Sequence, residues 1–283
     1  MAITSDWHIH TKHSCDGACM EYEALVKDAK ELGIKDYGVS DHYHSRLQEP
    51  DIKASREDYE KTLEKYPELK GHFHFGLELS VMSDWEIEKI AKGDYTEPPL
   101  WGIRMGGPEN NAPVYDITDE FIEKYKIEYI IGGVHWLLYC KSDKESIIKE
   151  QHKQYMFCAS NPKTDILAHY LWFNPMDLKR WPEMEDPCKY HLEISETMRN
   201  ELVCALKENN VAFEISSGLF MKEHPTTLLD EYFGWVSDMQ RSGVVLSMGS
   251  DSHAENLRNY CNYDKVEEML KHYKIDSSKF FCL

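Results

Sequence analysis

The chain has 283 residues, 42% hydrophobic and 12% aromatic, enough for one large domain with a sizeable core. Its 32 basic and 50 acidic residues give a formal net charge of -18, which disfavours nucleic acid and anionic membrane surfaces as partners. No basic segment leads into an apolar run at the start and no stretch of about 18 apolar residues occurs, so neither a secretory signal nor a membrane span is expected. Eight scattered cysteines read as reduced thiols, and a cytoplasmic protein is expected.

In chain order, Ile3 to His10 reads as a strand. Tyr22 to Leu32 follows as a helix, with Tyr22, Leu25, Val26, Ala29 and Leu32 at helical spacing and Gly33 as its stop. Further strands are predicted at Tyr37–Ser40, Phe73–Leu79, Tyr129–Val134, Asp165–Ala168, Val211–Ile215 and Val244–Ser247. Helices are predicted near Lys144–Cys158, over Glu193–Asn209 with a start signal at Ser195–Met198, and over Leu228–Arg241. Repeated strand-then-helix units imply a parallel sheet, and about seven of them favour a closed α/β barrel. Residues 81–119 break this rhythm. They are rich in Pro, Gly and Asn, carry Trp85, Trp101 and Arg104, and read as an insertion within a single domain spanning 1–283.

The chemistry lies at the strand ends. His8 and His10 stand two apart, and residues i and i+2 of a strand share a face. Asp16 follows in the next loop. His42, Glu78, His135 and His169 end the second to fifth predicted strands, and Asp251 and His253 end the last. Active sites of α/β barrels occupy this C-terminal rim. A lone histidine after an apolar run is usually a satisfied core or loop residue, but six of the 14 histidines fall at one topological level with three carboxylates. Imidazole with carboxylate suits Zn, Fe or Mn, and nine candidates exceed one ion's needs, so two or three divalent ions are expected.

The other histidines read differently. His72 and His74 begin their strand, His74 about 13 Å below Glu78 at ~3.3 Å per residue, and belong to the opposite rim. His152, His191 and His272 read as surface residues. His13, His44 and His224 lie in loops near the rim, where they would serve as proton donors or substrate contacts. Glu214 ends the sixth strand and would orient a ligand histidine or touch substrate. Asp41 faces away from His42 and reads as structural. Cys15 and Cys19, four apart, lack the second pair that a thiolate metal site needs.

His8-Ile9-His10-Thr11 through Asp16-Gly17, Ser40-Asp41-His42 and Gly249-Ser250-Asp251-Ser252-His253, with Glu78, His135 and His169 between, resemble the PHP family, named for polymerase and histidinol phosphatase. The segments Ile130 to Trp136 and Phe213 to Leu219 further resemble its histidinol-phosphate phosphatase branch. The resemblance spans essentially the whole chain. It implies a distorted (β/α)7 TIM-like barrel, a trinuclear metal site and phosphoesterase activity. Carried over by position, it implies that His8, His10, Asp16, His42, Glu78, His135, His169, Asp251 and His253 hold the metals. Glu78 would bridge, and His8, His10, Glu78 and Asp251 would take part in catalysis.

The expected reaction is hydrolysis of a small phosphate monoester, with L-histidinol phosphate as the candidate substrate, by metal-activated hydroxide. Arg104, Glu214, Lys222 and His224 are the expected substrate contacts. The aromatic insertion motivates an alternative substrate: a nucleotide, a sugar phosphate or a cyclic phosphodiester. A metal-storing or regulatory module is disfavoured by the complete ligand set, and an exonuclease role by the acidic charge.

Overall fold

The computed structural model describes residues 3–96, 99, 101–103, 106–170, 193–221, 226–257 and 262–283. Seven parallel strands form the main sheet, in the order β1 (Ser5–Asp6), β2 (Asp36–Val39), β4 (Phe73–Ser80), β7 (Tyr129–Gly133), β8 (Ile166–Leu167), β9 (Ala212–Ser216) and β10 (Leu246–Gly249). The first and last strands close on each other. Trp7 N–H donates to Met248 O at 3.0 Å, Asp251 N–H to His8 O at 2.8 Å and His10 N–H to Ser252 O at 3.0 Å. The result is the distorted barrel expected from the sequence. A short strand, β3 (His42–Tyr43), continues the line of β2 and pairs with the upper part of β4, setting His42 beside Glu78.

Eight α-helices lie among the described residues: α1 (Tyr22–Leu32), α2 (Glu49–Lys65), α3 (Asp84–Lys92), α4 (Asp119–Tyr125), α5 (Lys144–Ser160), α6 (Glu196–Asn209), α7 (Thr226–Ser242) and α8 (Tyr263–His272). Local chemistry sets their ends. Gly33 closes α1 in the left-handed conformation at φ 75°, where a side chain would be strained. Ser195 Oγ accepts from Met198 N–H to cap α6, as its sequence signal predicts. None of these helices is long and apolar enough to cross a membrane.

Within residues 81–119 the chain makes an excursion with its own structure. Strand β5 (Met82–Ser83) pairs antiparallel with β6 (Pro113–Val114), and α3 follows β5 directly. A reciprocal cap starts α3: Ser83 Oγ accepts from Glu86 N–H at 3.1 Å and Glu86 Oε2 from Ser83 N–H at 2.9 Å.

Strand alternation builds the barrel interior in layers. Strand β4 is buried along its whole length, as expected of a strand covered on both faces. Phe73, Phe75, Leu77 and Leu79 join the main core with the helices, whereas His74, Gly76, Glu78 and Ser80 share the other face. A second apolar cluster of Trp7, Tyr129, Ile131, Ile166, Ala168 and Ala212 fills the barrel. Tyr129 crosses this interior, its hydroxyl 2.7 Å from Trp7 O and 3.1 Å from Val39 O. Glycine permits the crossing, since a Cβ at Gly38 or Gly76 would stand 2.3 or 2.4 Å from atoms of the Tyr129 side chain. Ala212 and Glu214, like Gly76 and Glu78, are two apart, so the apolar floor and the carboxylates above it come from the same strands.

Candidate metal centre

Glu78 is the hub. It is fully buried, and histidines face both of its oxygens. Its Oε2 lies 3.2 Å from His8 Nε2, 3.4 Å from His10 Nε2 and 2.9 Å from His42 Nδ1. Its Oε1 lies 3.0 Å from His135 Nε2 and 2.8 Å from His169 Nε2. Gly133 makes room for this arrangement, because a Cβ there would stand 2.4 Å from His135 Cε1 and 2.5 Å from Glu78 Oε1. Asp251 Oδ1 approaches His10 Nε2 at 3.1 Å and His8 Nε2 at 3.4 Å. Asp16 Oδ2 sits 3.3 Å from His42 Nε2 and pairs with His253 Nε2. All nine expected residues therefore converge on one connected cluster.

A second layer orients them. His8 Nδ1 lies 2.6 Å from Glu214 Oε2, and since a carboxylate only accepts, Nδ1 carries the proton. That leaves Nε2 for the centre. The other oxygen, Glu214 Oε1, accepts the His169 backbone N–H at 3.0 Å. Glu214 thus touches two of the nine expected positions at once, the geometry an orienting residue would have. Ser80 Oγ lies 2.6 Å from His135 Nδ1 and 2.5 Å from His44 Nδ1. A single hydroxyl donates to one and accepts from the other. Asp41 accepts from Thr11 N–H, Thr11 Oγ1 and Ser55 Oγ, fixing the chain after His10, which is the structural role expected of it. Two non-glycine residues with positive φ also lie here, Asp251 at 54° and His169 at 23°, so the backbone is held in unusual conformations at two of these positions.

The electrostatics are those of mutual charge stabilisation. Burial alone pushes the Glu78 carboxyl up, but His135, His8 and His42 overcome it and hold Glu78 well below the usual range. Burial disfavours charge on His42, yet Glu78 and Asp16 raise it to about 10. His135 goes the other way, held down to about 4 because burial outweighs its pairing with Glu78. Asp16 and Asp251 are both lowered against burial, chiefly by His253 and His42 for the first and by His8 and His10 for the second.

This donor set fits divalent cations. Glu78 Oε2 is buried and accepts no hydrogen bond despite the three imidazole nitrogens around it. His8 Nε2 and His10 Nε2 stand 3.1 Å apart, an arrangement that a shared positive ion would favour. Four groups have ligand atoms within 4.8 Å of one another: His8, His10, Glu78 and Asp251; Glu78, His135 and His169; His10, His42 and His253; and His42, His44 and His135. Two ligand atoms on one ion with bonds of ~2.1 Å lie at most about 4.2 Å apart, so each group needs only a small contraction to close on an ion.

Other sequence expectations meet mixed outcomes. His13 turns away from the cluster, its Nε2 3.0 Å from Asp58 Oδ2. His44 lies in the bend after the short strand β3, as expected, but is buried rather than open to solvent. It stands between Ser80 and the tryptophans, and its spacing of two from His42 was the available signal. His72 pairs with Asp36 and His74 with Glu128, both at the far end from Glu78. Cys15 and Cys19 are free, and burial pushes the Cys15 thiol up to about 12. Arg104, Lys222, His224 and His191 lie outside the described residues.

The PHP domain profile matches residues 6–276. The chain belongs to the PHP family. That membership, with the complete cluster of ligand-type side chains, makes it a metal-dependent phosphoesterase. Among solved structures it is similar to the histidinol phosphate phosphatase of Lactococcus lactis subsp. lactis, complexed with zinc, L-histidinol and phosphate. The TM-score is 0.63 and the identity 16%, over 98% of this chain and 95% of that one. It is also similar to the putative histidinol phosphatase of Listeria monocytogenes, with a TM-score of 0.57 and 15% identity over 91% of this chain and 100% of that one. At such identities the likeness is one of fold. No curated protein matches by sequence.

Proposed function

We propose that this PHP-family member hydrolyses a small phosphate monoester at a centre of two or three divalent ions, with L-histidinol phosphate as the first substrate to test. The observation that carries this reading is Glu78, whose two oxygens each face a separate set of histidines. One ion would be held by His8, His10, Glu78 and Asp251, and a second by Glu78, His135 and His169. A third would be held by His42, His253 and Asp16. Zinc is the first metal to try, since the Lactococcus lactis structure contains it, with iron and manganese next. Bound ions would lower the pKa of water towards neutrality and neutralise the non-bridging oxygens of the phosphate.

The protein's own part is positioning. Glu214 keeps the His8 proton on Nδ1 and fixes the His169 backbone. With His135 Nε2 turned to the centre, its Nδ1–H donates to Ser80 Oγ, and the Ser80 hydroxyl donates on to His44 Nδ1. The acidic exterior does not oppose a small dianion, because about +6 from three ions would exceed the charge of Asp16, Glu78 and Asp251. Free cysteines suit a cytoplasmic setting.

A second reading, an ester with a larger organic group such as a nucleotide or sugar phosphate, is favoured by Trp101, whose ring lies 4.9 Å from that of His44. Phosphate release from a panel of monoesters and cyclic diesters by zinc-, manganese- or iron-loaded protein tests both. A marked preference for histidinol phosphate selects the first reading. Activity that survives complete metal stripping sinks both.

A further inference from the structure

Trp101 is one of only three large apolar side chains exposed among the described residues, at 39% of its surface. Its neighbours are not those of an ordinary surface residue. Its ring centroid lies 4.9 Å from that of His44 and 6.1 Å from that of His42. Both histidines are buried, so the indole stands where the cluster meets solvent.

The turn that carries it is built into the fold. Gly102 N–H donates to Pro99 O at 3.0 Å and Ile103 N–H to Glu86 Oε1 at 2.8 Å. Glu86 is itself buried and locked to Ser83 at the start of α3. Gly102, at φ 87°, packs the turn against the residue that follows His135: a Cβ there would be 2.9 Å from Glu86 Oε1 and 3.1 Å from Trp136 Cζ2. Trp101 is thereby tied both to α3 and to the strand end that presents His135.

We infer that Trp101, supplied by the excursion between β5 and β6, is a specificity-determining wall that stacks on a planar aromatic or heteroaromatic group in the organic part of the substrate. The inference rests on the phosphoester reading above, which places the phosphate at the cluster beside it. An indole face is electron-rich and apolar, and it attracts flat rings more than alkyl chains. The His44 ring lies against Trp101 tilted by 38°, the His42 ring meets it edge-on, and 39% of the Trp101 surface remains open to solvent for a further ring.

Two non-hydrolysable probes separate stacking from phosphate recognition: phenylphosphonate and methylphosphonate, titrated calorimetrically into the zinc-loaded protein. Wild type should prefer the phenyl compound by about tenfold. In Trp101→Ala the ratio should fall below about two, whereas Trp101→Phe should keep it above about three. An unchanged ratio in Trp101→Ala, or a ratio near one in a wild type that binds methylphosphonate, overturns the wall and leaves the phosphoester reading standing. A wild type that binds neither compound overturns that reading, and the wall with it.

Discussion

Replacing Glu214 with Gln changes one oxygen to an amide nitrogen at nearly constant volume, in a site where both oxygens are used. If the remaining oxygen stays on the His169 N–H, the new NH2 faces His8 Nδ1, which already carries a proton. If the amide flips, the oxygen serves His8 and the NH2 opposes the His169 N–H. Either way two donors meet, and one buried donor goes unsatisfied at a cost of about 1–3 kcal/mol. Shifting the His8 proton to Nε2 would relieve the clash by removing the lone pair that a metal needs. Loss of such an orienting partner weakens metal affinity by about 10–100-fold, equivalent to about 1.4–2.7 kcal/mol. The assay is zinc titration of chelator-stripped protein against a competing chromophoric chelator, with circular dichroism to check that the metal-free barrel persists. A folded Glu214→Gln that binds zinc within twofold of wild type would refute the reasoning.

Three further outcomes are expected. Glu78→Gln should lower phosphate release by about 100-fold or more, because it disrupts both sets of ligands at once; a loss under tenfold would mean that Glu78 is no bridge. In the metal-free fold His42 is raised from 6.5 to about 10, so its contribution to stability is complete below pH 6.5 and is lost as pH rises through about 10. Zinc binding at pH 7.5 should therefore expel at least one proton, measured by calorimetry in buffers of different ionisation enthalpy, and zero release would contradict the His42 assignment. Gly133→Ala should destabilise the protein by about 1–3 kcal/mol, seen as a lower Tm, since the new methyl would meet His135 and Glu78 in a packed interior. An unchanged Tm would show that these side chains have room to move.

Much of this arrangement was legible in the sequence because the two signals coincide: each apolar run ends in a histidine or carboxylate. Helix α1 was readable to the residue, since Tyr22, Leu25 and Ala29 mark its buried stripe and Gly33 its end. Helix α2 was not. Its sequence is dominated by charge, and it buries Ile52 and Tyr59 alongside the polar Ser55 and Thr62, so no apolar stripe announces it. The burial of His44, in the loop where the sequence puts it, is hidden for a different reason. Distance along the chain says nothing of a hydroxyl such as Ser80, brought to it from another strand. Glu214 was ambiguous because a strand-end carboxylate looks the same whether it meets substrate or a neighbouring imidazole, and only the fold brings His8 to it across 206 positions.

The tyrosine that crosses the barrel floor carries an evolutionary consequence. Residues 38, 76 and 129 lie on three different strands yet share one volume, so they cannot drift independently. A lineage that acquires any side chain at 38 or 76 must first accept a smaller residue at 129. A lineage that shrinks 129 first opens a void under the histidine cluster, at a cost that grows by about 24 cal/mol for each Å3 left empty. Sequences of relatives should therefore show these three positions changing together, while the nine residues above them stay as they are.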